Sequence, residues 1–185
     1  MAWTGKSLEL IPRVGIFNKS KTLTEFLYTA MNMEKGAERF YRLIVEKYPS
    51  EAFAQVFEQM AGVETAHAKL IYKIYTKVTE QTTLAFDGFY QDLPGDIVEG
   101  GEHLERHVAH LANISENPST ALLDLDLDIE FSAFYLYRTL ANHKTDEPQM
   151  ARVFLDIPPA EKSHLLMRSA ALYLRLTYLA QLWQI

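Results

Sequence analysis

Glu64-Thr65-Ala66-His67 and Glu161-Lys162-Ser163-His164 each set a carboxylate and an imidazole three residues apart. On a helix that spacing puts both side chains on one face, within reach of a single metal ion. With 6 His in 185 residues, random placement gives about half of one Glu-x-x-His match; the chain has two. Thirty residues before the first lies Glu34, and thirty-one before the second lies Glu130. Each is followed seven residues later by a Tyr-Arg pair, Tyr41-Arg42 and Tyr137-Arg138. Phe57 and Phe154 stand seven residues before the two Glu-x-x-His glutamates. The chain therefore reads as an internal repeat, helix-Glu then helix-Glu-x-x-His. Four-helix bundles with two-metal carboxylate sites take one Glu from each of two helices and Glu-x-x-His from each of the other two.

The positions around these residues are apolar. Met60, Val63 and Ile71 flank the first motif at helical offsets; Ile157, Ala160 and Leu165 flank the second, and Phe131, Ala133 and Phe134 follow Glu130. Four glutamates turned into one core need a counter-charge, which two divalent cations supply. The opposing reading leaves Glu64, His67, Glu161 and His164 on solvated helix faces.

The elements that must position these groups follow from periodicity and caps. Residues 1–21, with Pro12, Gly15 and Asn18, read as an N-terminal arm, and 22–185 as the bundle domain. Thr22-Leu23-Thr24-Glu25 fits a capping box opening a helix to about Lys47. Pro49-Ser50-Glu51 separates it from a second helix, with Ser50 as N-cap, running to about Val78. Its inward stripe is predicted to include Phe53, Phe57, Met60, His67, Leu70 and Ile71. Residues 79–118, punctuated by Pro94-Gly95 and Gly100-Gly101, form a long crossover holding one short helix over 102–112. The third long helix spans Ser119 or Thr120 to His143. Leu122-Leu123-Asp124-Leu125-Asp126-Leu127-Asp128 alternates with period two, yet the repeat requires helix there. Asp146-Glu147-Pro148 opens the fourth. No strand is predicted, and the class is all-α.

Composition narrows the function. Net charge is −6, without a long basic run, which excludes nucleic acid as a partner. The absence of Cys excludes disulfides, thiol nucleophiles and Cys-ligated iron or zinc. No secretory leader pattern follows Met1, and the apolar stretch 165–185 is interrupted by Arg168 and Arg175, so the expected setting is cytoplasmic, without a membrane. His103, His107 and His110 make a second His-bearing face. It is a solvated helix, or a metal site with Glu99 or Glu102 as its carboxylate.

The ordered set of Glu34 with Tyr41, Glu64-x-x-His67, Glu130 with Tyr137, and Glu161-x-x-His164 resembles the di-iron domain of rubrerythrins, within the ferritin-like superfamily. The resemblance covers about residues 22–182 and implies a ferritin-like four-helix bundle with its crossover between helices 2 and 3. It implies that Glu34, Glu64, His67, Glu130, Glu161 and His164 are the metal-ligating and catalytic residues, and that Tyr41 and Tyr137 orient carboxylates at the cofactor. The cofactor would be two iron ions, or manganese, or a mixed pair. The implied activity is reduction of hydrogen peroxide or dioxygen by a homodimer. Without cysteine the chain has no rubredoxin-type centre, so an external electron-donor protein is expected. Ala133 stands where the family carries a further Glu, and Pro158-Pro159 interrupts the fourth helix, which restarts at Pro158 with Asp156 near its cap. A ferroxidase or iron-storage protein, a di-iron hydroxylase of an organic substrate, and a metal-free helical interaction module are the alternatives.

Overall fold

A computed structural model describes Phe17, residues 22–79, 85–114, 118–143 and Arg152. The expected fourth helix, with Pro158-Pro159, Glu161 and His164, lies outside the described residues, as does the N-terminal arm apart from Phe17. The described residues are overwhelmingly helical, as a ferritin-like bundle requires.

Helix α1 (Leu23–Lys47) starts where the capping box places it: the Thr22 hydroxyl accepts from Glu25 N–H while the Glu25 carboxylate accepts from Thr22 N–H. Both first-turn amides are thereby satisfied. Thr22→Ala is expected to cost about 1 kcal/mol, read as a lowered urea midpoint of unfolding. The buried stripe of α1 runs through Phe26, Ala30, Met33, Ala37, Phe40, Tyr41 and Ile44, and Glu34 lies in the middle of it.

Helix α2 (Ala54–Thr79) begins at Ala54 rather than at Glu51, the first helical residue that a Ser50 cap predicts. The chain from Tyr48 to Phe53 instead makes consecutive turns, with Glu51 N–H donating to Tyr48 O and Ala54 N–H to Glu51 O. Phe53 sets this start, because its buried ring packs edge-on against Tyr48 and Phe57 and holds the incoming chain at the helix base. Of the predicted inward stripe, Leu70 is a miss, at 53% exposure. Helices α1 and α2 form the closest-packed pair in the described structure.

The crossover is more structured than its glycines and prolines suggest. It contains α3 (Phe86–Asp92), β1 (Ile97–Val98), a 3-10 turn (Glu99–Gly101), β2 (Glu102–His103) and α4 (Leu104–Asn113). The two strands pair antiparallel, Ile97 opposite His103 and Val98 opposite Glu102. Here the prediction of no strand is corrected: two residues a side is too short to leave a period-two signal.

Helix α5 (Pro118–His143) is continuous through the alternating Leu-Asp segment. Its buried positions, Leu122, Leu123, Asp126, Ile129, Glu130, Ala133, Leu136 and Tyr137, follow helical spacing. The aspartates that mimic strand alternation separate by depth: Asp126 is buried and Asp124 exposed. The core has two clusters, one around Phe26, Met31, Ala68 and Leu136, the other around Phe40, Phe57, Leu122 and Ile129.

Candidate metal centre

Four side chains converge between the two clusters. Glu34 comes from α1, Glu64 and His67 from one face of α2, and Glu99 from the 3-10 turn of the crossover. All four are buried, and one ligand atom from each lies within 4.8 Å of all the others. His67 Nδ1 is 3.4 Å from Glu34 Oε2 and 3.3 Å from Glu64 Oε2. The Glu99 carboxyl lies beside that of Glu34, within the same 4.8 Å group, and Tyr137 Oη donates to Glu34 Oε1 at 3.5 Å.

Glu34 is the hub of this arrangement. Burial pushes its pKa above the ordinary carboxylate value and the Glu64 charge adds to the rise, while the contacts with His67 and Glu99 oppose it. The nearest basic residues of α1 are committed elsewhere: Lys35 Nζ and Arg39 Nη1 donate to carbonyls of the 90–95 loop.

The donor set fits a metal ion. Three carboxylates and one imidazole, mutually within 4.8 Å, can surround an ion with bonds of about 2.0–2.2 Å. Mostly hard oxygen donors with a single nitrogen suit iron or manganese. A positive ion also removes the energetic objection to burying three carboxyl groups together.

Of the residues singled out in the sequence, Glu34, Glu64 and His67 are brought together. Glu130, Tyr41 and Tyr137 are fully buried, with Glu130 on α5 outside the tight group of four. Glu161 and His164 fall outside the described residues. In the sequence Glu99 is a candidate only as a carboxylate partner for His103, His107 and His110; in the structure it joins the carboxylate cluster instead. Its signal in the sequence is thin: an acidic residue between Ile97-Val98 and Gly100-Gly101, one hydrophobic pair away from a loop.

The histidine face of α4 is not uniformly solvated either. His103 and His110 are exposed, but the His107 ring packs on Phe40 with centroids 5.3 Å apart, and its Nε2 is buried with no hydrogen-bond partner among the described residues. Burial pulls its pKa down to about 4, against the attraction of Glu102 and with the help of His110. A base whose folded pKa lies below its unfolded value of 6.5 favours the unfolded chain once protons are available to it. Stability from this group is therefore complete above pH 6.5 and is lost as pH falls toward 4. His107→Phe keeps the ring contact and is expected to remove about 1–2 kcal/mol of acid-induced destabilisation, allowing for partial solvent screening. Urea midpoints of both proteins at pH 7 and pH 4.5 provide the measurement.

Among the described residues, no helix is long and apolar enough to cross a membrane. Residues 25–116 match the family model described as Rubrerythrin. All four clustered side chains lie inside that segment, whereas Glu130 lies beyond it. No curated protein and no solved structure matches the chain.

Proposed function

We propose, for a chain that is rubrerythrin-like over residues 25–116, that the buried cluster is the first half of a two-metal carboxylate centre. The protein is then a non-haem di-iron oxidoreductase that reduces hydrogen peroxide or dioxygen. The observation carrying this reading is the meeting of Glu34, Glu64, His67 and Glu99 within 4.8 Å in a buried site. Glu130, fully buried on α5, together with Glu161 and His164 of the second repeat, supplies the other half. A ferrous pair, when bound, provides the two electrons that, with two protons, convert hydrogen peroxide to two waters.

The chain's own residues do the rest. Glu34, Glu64 and Glu99 set a negative field that favours the higher oxidation state and offsets its charge. His67 Nδ1 stands between Glu34 Oε2 and Glu64 Oε2, so one imidazole and two carboxylates would face a bound ion from adjacent helices. Tyr137 Oη fixes one Glu34 oxygen, leaving the other directed at the cluster. Phe57, Met60 and Ala37 belong to the adjoining apolar core, which limits entry of bulk water. These 185 residues hold no Cys, so the reducing equivalents come from a centre outside them, for which an external electron-donor protein is the proposed source; the proposed working form is a cytoplasmic homodimer.

The test is anaerobic loading of the protein with ferrous iron, followed by one equivalent of hydrogen peroxide. Near-ultraviolet diferric absorption with two irons per chain is the expected result. Iron uptake far beyond two per chain would instead mark a storage protein. Failure to retain iron or manganese would leave a helical interaction module and reject the redox assignment.

A further inference from the structure

We infer that Gly36 and Gly100 are positioning residues for Glu99, bare of side chain so that the crossover can be seated between α1 and α5 and deliver its carboxylate to Glu34. The inference rests on the metal-centre reading above.

Glu99 differs from the other three cluster members in what locates it. Glu34, Glu64 and His67 are placed by the register of long helices, but a three-residue turn between two-residue strands has no register of its own. Contacts must hold it. On α1, Asn32, Lys35, Gly36 and Arg39 form a strip beside Glu34. The Asn32 amide makes two bonds to the loop, donating to Asp96 Oδ1 at 2.9 Å and accepting from Gly95 N–H at 2.6 Å. Lys35 Nζ holds the carbonyls of Tyr90 and Gln91 at 2.6 and 2.9 Å, at the end of α3. Arg39 Nη1 holds those of Pro94 and Gly95 at 2.6 and 2.7 Å. These bonds bring the chain to Ile97, whose carbonyl lies directly over Gly36: any Cβ there would overlap it.

Glycine inside a helix is less favourable than alanine, so its presence in the middle of α1 calls for a reason. The backbone of β1 lying against it is that reason. On the far side of Glu99, Gly100 has φ +81°, a conformation L side chains rarely adopt, and a Cβ there would collide with Cβ of Ser132 on α5. The ligand is thus bracketed two residues upstream by a seat on α1 and one residue downstream by a seat on α5.

Cobalt(II) is a suitable probe, because its visible absorption reports coordination number and geometry. Apo full-length wild type, Glu99→Gln, Gly36→Ala, the double variant and Gly62→Ala are titrated with it. Gly62 has nothing within 4 Å of its Cβ position among the described residues and serves as a neutral helix control. Gly36→Ala and Glu99→Gln are each expected to weaken cobalt binding about 10–100-fold and to shift the visible band alike. The double variant should bind no more weakly than Glu99→Gln alone, because a seat has no effect once its ligand is gone. Wild-type affinity and spectrum in Gly36→Ala, or losses that multiply in the double variant, would overturn the inference. Should Gly36→Ala not fold, Asn32→Ala removes a tether without a clash. It is expected to weaken binding about 3–10-fold, again only when Glu99 is present, and an equal loss with or without Glu99 would count against the seat. If wild type itself binds no cobalt, the metal-centre reading has failed, a result distinct from any failure of the seat.

Discussion

Glu34→Gln is expected to weaken binding of ferrous iron or cobalt(II) by at least about 100-fold, roughly 2.7 kcal/mol, while making the metal-free protein more stable. The two effects have opposite signs for one reason. Glu34 lies against His67 and the Tyr137 hydroxyl and within 4.8 Å of ligand atoms of Glu64 and Glu99. With a cation in place it is a negative ligand at the centre of the site. Without one it is a fully buried carboxyl beside two more. Glutamine has the same shape, keeps an acceptor for Tyr137 and carries no charge, so the apo protein should gain about 1–3 kcal/mol at pH 7. The pH dependence follows from the sign of the shift. A carboxyl whose folded pKa is raised contributes stability below its unfolded value of 4.5, and that contribution disappears as pH rises through the folded value. The advantage of Glu34→Gln should accordingly grow as pH rises above 4.5 and vanish in acid. Apo urea midpoints for both proteins at pH 4 and pH 7.5 test this, with metal content measured alongside. A variant less stable than wild type at pH 7.5 would refute the crowded-carboxylate picture.

Phe57→Ala should cost about 3–5 kcal/mol, enough to lower the melting temperature by about 10 °C. Phe57 is fully buried in the core cluster below the metal centre, 5.9 Å from the Tyr41 ring and 6.0 Å from that of Phe53 between centroids. Its removal takes a ring from a region where neighbours on α1, α2 and α5 all approach, and helices cannot collapse individually to fill the gap. Phe131, 39% exposed on α5, provides the contrast, since its truncation should change stability by less than about 0.5 kcal/mol. Thermal melts of the apo proteins distinguish the two sites. Equal losses would mean that the cluster around Phe57 is less tightly packed than the structure shows.

Much of this was decided by local sequence. The Thr22–Glu25 capping box fixes the start of α1, because all its partners lie within four residues. The 3.6-residue period puts Glu34, Glu64 and His67 among apolar neighbours, so their burial and mutual approach follow once α1 and α2 pair. The same period makes α5 continuous through a segment that alternates like a strand, and it buries Glu130 and Tyr137 on one stripe. Other features depend on partners distant in the chain. Whether α2 begins just after a Ser50 cap or at Ala54 turns on the Phe53 ring, not on cap propensity. His107 belongs to a polar-looking face, yet Phe40 of α1 covers it. Glu99 has no periodic neighbours to announce it; it joins the cluster through the bonds by which Asn32, Lys35 and Arg39 hold the preceding loop and through the room Gly36 leaves for the Ile97 backbone. Periodicity and caps are properties of a few adjacent residues and can be read from them. The placement of an irregular turn is a sum of contacts across some sixty residues of separation, which only the folded chain brings together.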